Sequence, residues 1–111
     1  MNCLFCAIVK GEIPAGIIFE SDSIVAFNDI NPQAPVHILL IPKSHFENIS
    51  ELSESEPNTV PELFKVANSL AQEKSLPGYR TVFNTGAAAG QSVFHAHLHL
   101  LGGRALQWPP G

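Results

Sequence analysis

The sequence predicts an α+β fold: a five-stranded, mainly antiparallel sheet with one long helix and a short N-terminal helix. Three observations carry this expectation. Short apolar runs recur between clusters of turn residues, the pattern of hairpin-connected strands. One stretch alone keeps a helical period over several turns. Near the C-terminus, Ser92-Val93-Phe94-His95-Ala96-His97-Leu98-His99-Leu100-Leu101 alternates imidazole with apolar side chains. In a strand, His95, His97 and His99 share one face and Ala96, Leu98 and Leu100 the other. Alternate imidazoles then lie about 6.6 Å apart, room enough for a substrate group or an ion.

The elements follow in order. Residues 3–10 are apolar with a helical look and stop at Gly11. Ile13-Pro14-Ala15-Gly16 is a turn. Residues 17–20 and 24–27 form two strands joined by Ser21-Asp22-Ser23, hence a hairpin. Residues 28–33 are a loop rich in turn formers. Residues 36–41 form a third strand, more continuously apolar and therefore central, ended by Pro42 and Lys43-Ser44-His45. The long helix spans about 55–75, with Val60, Leu63, Phe64, Ala67, Leu70 and Ala71 as its apolar stripe. Its start is signalled twice, by Ser53 with Glu56 and by Asn58-Thr59 near Pro61. Pro77-Gly78 ends it. Residues 79–84 are a fourth strand, residues 86–90 a small-residue loop, and the histidine stretch the fifth strand. Trp108-Pro109-Pro110-Gly111 suits neither helix nor inner strand.

Composition narrows the partners. The 111 residues fit one domain, 1–111, with 45% hydrophobic and only 14% charged residues. So little charge on a small protein points to a surface covered by a partner subunit. Net charge is −4 with six basic residues, which argues against a nucleic-acid polymer. A small anion held by backbone amides and imidazoles remains compatible. No apolar run is long enough to span a bilayer, and no secretory leader is visible at the N-terminus. The default is then a cytoplasmic, reducing location, where Cys3 and Cys6 are thiols or metal ligands rather than a disulfide.

The histidine row admits three readings. Three core histidines side by side would each need a hydrogen-bond partner. His-x-His on a strand is a zinc geometry. A histidine nucleophile suits phosphorus and needs a phosphate-binding element nearby. Gly86 to Gly90 with Gln91-Ser92 offers such an element: amides unblocked by side chains, and a hydroxyl.

The stretch from Gln91 to Leu101 resembles the histidine triad signature. Gly11-Glu12-Ile13-Pro14-Ala15, Phe27-Asn28-Asp29-Ile30, Pro32-Gln33-Ala34-Pro35 and Gly102-Gly103-Arg104 through Trp108-Pro109-Pro110-Gly111 resemble, in order, the histidine triad nucleotide-binding branch. That ending separates it from the diadenosine-polyphosphate hydrolase branch. The resemblance implies a purine nucleoside phosphoramidase without an organic cofactor, and a homodimer whose sheets join into ten strands. It implies a catalytic set of His97 (the nucleophile), His99 (holding phosphate oxygens), His37 and Ser92 (near the leaving amine). Asn84, Gly90, Gln91 and Val93 would line the phosphate region. Asp29 would accept the ribose hydroxyls, and Phe5, Ile8, Ile13, Phe27, Ile30 and Leu39 would form the base slot. Trp108 would lie near the partner's site. Without the resemblance, Asp29 reads as a turn residue, His37 as a satisfied core histidine and the apolar set as core. The sequence departs from the branch at Ala87-Ala88-Ala89, where polar or acidic residues are common, and at Asn28, where histidine is common.

Cys3-x-x-Cys6 supplies half of a tetrahedral zinc site. Some bacterial members of the family resemble this pattern, completing the site with residues equivalent to His45 and His95. The plainer reading is two small packing residues. With zinc bound, His95 becomes structural and leaves His97 and His99 for the chemistry.

Overall fold

The computed structural model describes residues 3–111; Met1 and Asn2, where the search for a leader began, lie outside the described residues. Helix α1 is Leu4–Val9, followed by strands β1 (Ile17–Glu20), β2 (Ile24–Asn28) and β3 (Val36–Pro42). Helices α2 (Ile49–Ser55) and α3 (Thr59–Glu73) come next, then β4 (Tyr79–Val82), a 3-10 turn over Ala87–Ala89, and β5 (Leu98–Gly102). The sheet order is β1-β2-β3-β5-β4, and every pairing is antiparallel. Strand β3, apolar apart from His37, is central, as its near-continuous hydrophobic run requires.

Two cores sandwich the sheet. On one face α3 packs Leu63, Val66, Ala67, Leu70 and Ala71 against Ile24, Ala26, Ile38, Leu40, Ala96, Leu98 and Leu100. On the other, α1 sets Phe5 and Ile8 against Val25, Phe27, Leu39 and Ile41. Residues alternating along β2 and β3 thus serve both layers, which is why those strands are apolar except at Asn28 and His37. Ser23 ties the β1–β2 turn to α3 through Glu62, its hydroxyl 2.8 Å from Oε1.

Several boundaries differ from the sequence expectation. The long helix begins at Thr59 rather than near Ser55, because α2 is a separate helix with its own cap. The Asn48 side chain accepts from the Glu51 N–H at 3.0 Å, and the Glu51 carboxylate reaches back to the Glu47 N–H. The stripe of α3 is also rotated: Val66 is buried whereas Phe64 is exposed, against Phe83. The helix stops at Glu73, before Pro77, where Ser75 turns to φ 56°. The ladder of β5 starts only at Leu98, so His95, at the end of a bend, and His97 both precede it.

Candidate functional site

The histidines lie on the α1 side of the sheet, at one end of a cleft of about 370 Å³. Phe5 meets His97 edge-on at 5.1 Å between centroids and His95 at 5.9 Å. His97 and His99 stand 4.9 Å apart, closer than the ideal strand repeat, since only His99 is in the ladder. The cleft is walled by Phe5, Ile8, Ile13, Phe27 and Leu39, and Asp29, Ser92, Val93, His97 and His99 gather at its polar end. Ile30 contributes only to the rim, being wholly exposed. A larger concavity, about 560 Å³, lies between residues 77–80 and 103–106, away from the histidines.

Fixed backbone partners decide which nitrogen of each ring carries its proton. The Nδ1 of His97 lies 2.8 Å from the His95 carbonyl, which can only accept. Nδ1 is therefore the donor, and Nε2 keeps a free lone pair. At His37 the sign is reversed. Its Nδ1 accepts from the Gln33 N–H at 3.0 Å, so Nε2 carries the proton and donates to His99 Nδ1 at 2.9 Å. His99 Nε2 is then an N–H donor. It is buried and has no partner among the described residues. A buried donor left unpaired costs about 1–3 kcal/mol, so the site favours an acceptor arriving from the cleft.

Burial, reinforced by neighbouring His97 and His37, pushes the His99 ring down to about 4. Burial also lowers His97, against the opposing bond to the His95 carbonyl, and lowers His37, against the Asp29 carboxylate 3.5 Å away. Desolvation thus keeps a cluster of neutral imidazoles near neutrality, one with a lone pair and one with an N–H toward the cleft.

The phosphate loop differs from its expected use. The amides of Ala89, Gly90 and Gln91 are bonded within the turn, to the carbonyls of Gly86, Ala87 and Gly86. The buried Gln91 side chain accepts from the Gly86 N–H and donates to the carbonyls of Glu47 and Val93. Neither Gly90 nor Gln91 lines the cleft, nor does Asn84. Ser92 and Val93 do line the cleft, and their amides have no backbone partner among the described residues. A loop of glycines and alanines reads as unencumbered in sequence; only the fold reveals that its own 3-10 turn consumes those donors.

A second cluster lies immediately beyond. Cys3 Sγ is 3.4 Å and Cys6 Sγ 3.6 Å from His95 Nδ1, while His45 Nδ1 is 3.3 Å from Cys6 Sγ and 3.2 Å from His95 Nδ1. Tetrahedral zinc, with bonds of about 2.0 Å to nitrogen and 2.3 Å to sulfur, needs ligand atoms roughly 3.3–3.8 Å apart. His95 Nε2 faces the Pro42 carbonyl at 2.8 Å, so its proton is there and Nδ1 has the lone pair a metal takes. Cys3 also caps α1, its sulfur accepting from the Cys6 N–H at 3.3 Å. The donor set fits the ion.

Asp29, His37 and His99 form another three-residue group within ligand range of one another. Its chemistry does not fit a cation. With Nδ1 of His37 accepting from an amide, its Nε2 has no lone pair unless the ring becomes imidazolate.

Trp108 is 80% exposed, with the Arg80 guanidinium 6.0 Å from its ring. It does not line its own chain's cleft.

Relatives agree in sequence and in shape. A family model described as the scavenger mRNA decapping enzyme C-terminal binding domain matches residues 2–106. An uncharacterized HIT-like protein of Synechococcus elongatus is 49% identical, covering 99% of this chain and 97% of the relative. The crystal structure of a HIT family hydrolase from Legionella pneumophila superposes with a TM-score of 0.94 at 50% identity, over 99% of this chain and 100% of that one. A histidine triad protein from Clostridium difficile gives 0.91 at 41% identity, covering 96% and 95% of the two chains. With the His95-Ala96-His97-Leu98-His99 motif at the end of its cleft, the chain belongs to the histidine triad family.

Proposed function

We propose that the protein is a nucleotide-binding hydrolase that cleaves the P–N bond of purine nucleoside 5′-phosphoramidates through a nucleotidyl-His97 intermediate. One observation carries this reading. A lone-pair nitrogen on His97 and an unpartnered N–H on His99 stand side by side at the polar end of an apolar cleft.

The base enters the slot between Phe5, Ile8, Phe27 and Leu39, and the ribose hydroxyls meet Asp29. The α-phosphate then lies between His97, His99 and the Ser92–Val93 amides. His97 Nε2 attacks phosphorus, and the bond to the amine breaks with its electron pair on nitrogen. A proton taken from solvent and relayed through the Ser92 hydroxyl passes to that nitrogen, leaving the hydroxyl as it began. The ring becomes a cationic N-phosphoryl imidazolium, and its Nδ1–H stays on the His95 carbonyl, which stabilises the charge. Water attacks the same phosphorus, His97 leaves, and the nucleoside monophosphate is released. His99 Nε2–H donates to a phosphate oxygen throughout, a bond that strengthens as charge accumulates there.

The names of two similar structures, HIT family hydrolases from Legionella pneumophila and Clostridium thermocellum, agree with hydrolysis. A zinc-dependent hydrolase using the triad as ligands is disfavoured by His99, whose Nε2 carries a proton in place of a lone pair, and by His95, whose lone-pair Nδ1 faces Cys3, Cys6 and His45. Zinc instead belongs with Cys3, Cys6, His45 and His95, where it would be structural, fixing the helix that carries Phe5. An adenosine phosphoramidate assay on wild type and His97→Ala tests the reading. Wild type turns over and the variant does not, while AMP still binds both. Turnover by His97→Ala would refute the nucleophile. Loss of wild-type activity on chelation with the fold intact would favour catalytic metal. A non-catalytic nucleotide-binding protein would bind AMP and turn over no phosphoramidate.

We also propose a homodimer joined along β4. The opposite edge, β1, is interrupted by a register shift between Ile17 and Phe19, which blunts it, whereas β4 pairs regularly and ends the sheet open. The exposed Phe64, Tyr79 and Trp108 would find cover there.

A further inference from the structure

Two sequence motifs have no part in the cleft: Pro32-Gln33-Ala34-Pro35 and Gly102-Gly103-Arg104. The fold brings them together. Val36 pairs with Gly102, so the chain entering β3 and the chain leaving β5 run side by side. Gly103 adopts φ 94° against Pro35, where an added Cβ would lie 2.9 Å from the proline Cβ. That approach brings Arg104 onto the Gln33 carbonyl, with Nε donating at 3.2 Å and Nη2 at 2.9 Å. Nη1 donates to the Ala105 carbonyl at 2.9 Å, which fixes the plane of the guanidinium.

We propose that Arg104 is a positioning residue for the reaction, acting through Gln33 and His37 on His99. Gln33 is the residue whose N–H holds His37 Nδ1. Its carbonyl is gripped twice by Arg104, and its side-chain amide donates to the Asn31 carbonyl. The residue is thus fixed on both sides of its α-carbon. A displaced Gln33 frees His37 to place its proton on Nδ1. His37 Nε2 then accepts instead of donating, His99 Nδ1 becomes the donor, and His99 loses its N–H toward the phosphate. One arginine outside the cleft therefore sets the direction of a two-ring hydrogen-bond chain.

The inference rests on the phosphoryl-transfer reading for its kinetics but not for its structure. An arginine near a phosphate site would ordinarily be assigned to substrate charge. Arg104 does not line the cleft, and three of its N–H groups already serve carbonyls. Direct contact with the nucleotide predicts a rise in KM; positioning predicts a fall in kcat.

The test uses the full chain with 15N-labelled histidine, reading the ring nitrogens of His37 and His99 by NMR, together with steady-state kinetics on an adenosine phosphoramidate. In wild type both rings carry the proton on Nε2. In Arg104→Met the His37 signals show both tautomers, kcat falls by about tenfold to a hundredfold, and AMP affinity falls by less than kcat, since the His99 bond strengthens as charge accumulates in the reaction. Arg104→Ala regains kcat and the single tautomer when guanidinium is added at millimolar concentration. Arg104→Lys, with one ammonium in place of the fork, falls between. A wild-type His37 protonated at Nδ1 overturns the proposal, and that measurement needs neither a variant nor a substrate. An unchanged tautomer and kcat in Arg104→Met, or a loss confined to KM, also overturns it. Absence of turnover by wild type would refute the functional reading alone, since the tautomers still decide the clamp.

Discussion

At the scale of single residues, the site depends on which atoms are already engaged. Gln91 shows this most clearly. Its amide oxygen and nitrogen serve one amide and two carbonyls in a buried position, joining the small-residue turn to the chain before α2 and to Val93. Gln91→Leu keeps roughly the size and leaves those backbone groups without their partner. Each such loss costs about 1–3 kcal/mol where the group stays dry. Urea denaturation of Gln91→Leu should show a stability loss of at least about 2 kcal/mol. If Gln91 served the phosphate directly, the variant would keep its stability and lose AMP affinity instead. Asp29 is divided differently. One carboxylate oxygen accepts from the Asn31 N–H at 2.8 Å, while the other faces His37 Nε2. The turn role is present, and it leaves the second oxygen beside the cleft histidines. Asp29→Asn should retain the turn, because Asn can accept that same bond, and should weaken AMP binding measurably by calorimetry if Asp29 accepts the ribose hydroxyls. Unaltered affinity would remove the ribose assignment.

Among the elements, α3 shows how far periodicity reaches. Its apolar stripe is strong enough to place a helix, yet it assigns Phe64 to the core, where Val66 lies instead. Phe64 and Val66 differ by two helical positions, about 200° around the axis, so a stripe fitted through one excludes the other. The position of Leu63 is the same in both fits. Leu63→Ala removes a wholly buried side chain and should cost about 2–5 kcal/mol by urea denaturation, whereas a value below 1 would contradict its burial. Helix α2 had a sequence signal, Asn48 with Glu51, but too few apolar residues for periodicity to register; only Leu52 is buried. The strands were legible because alternation and β-branched residues agree there. The start of β5 was not, because imidazole alternation begins three residues before the hydrogen-bond ladder does. The constellation at Cys3, Cys6, His45 and His95 was readable from spacing and resemblance. The tautomers were not: they depend on carbonyls of Pro42 and His95 and on the Gln33 amide, whose directions no side-chain pattern records.

For the molecule as a whole, four imidazoles, three of them buried and His99 half-buried, tie folding stability to pH. His37, His95, His97 and His99 all have their protonated forms disfavoured, chiefly by burial. The deepest depression is at His99, from an ordinary 6.5 to about 4. The unfolded chain therefore binds protons first as pH falls, and the native state resists them. By linkage the stability associated with a neutral His99 is fully present above about pH 6.5. It is lost progressively as pH falls toward 4, and no further loss comes from this group below that, where both states are protonated. His37 acts with the same sign. Urea midpoints measured between pH 8 and pH 4 in the presence of a chelator should be flat at first and decline below about 6.5. His99→Asn removes one titrating group and should make the decline shallower by close to one proton at its steepest. An identical slope in the variant would show that the ring titrates normally in the native state. The orphaned Nε2–H of His99 would then be wet, and the case for a phosphate acceptor at that position would lose its physical basis.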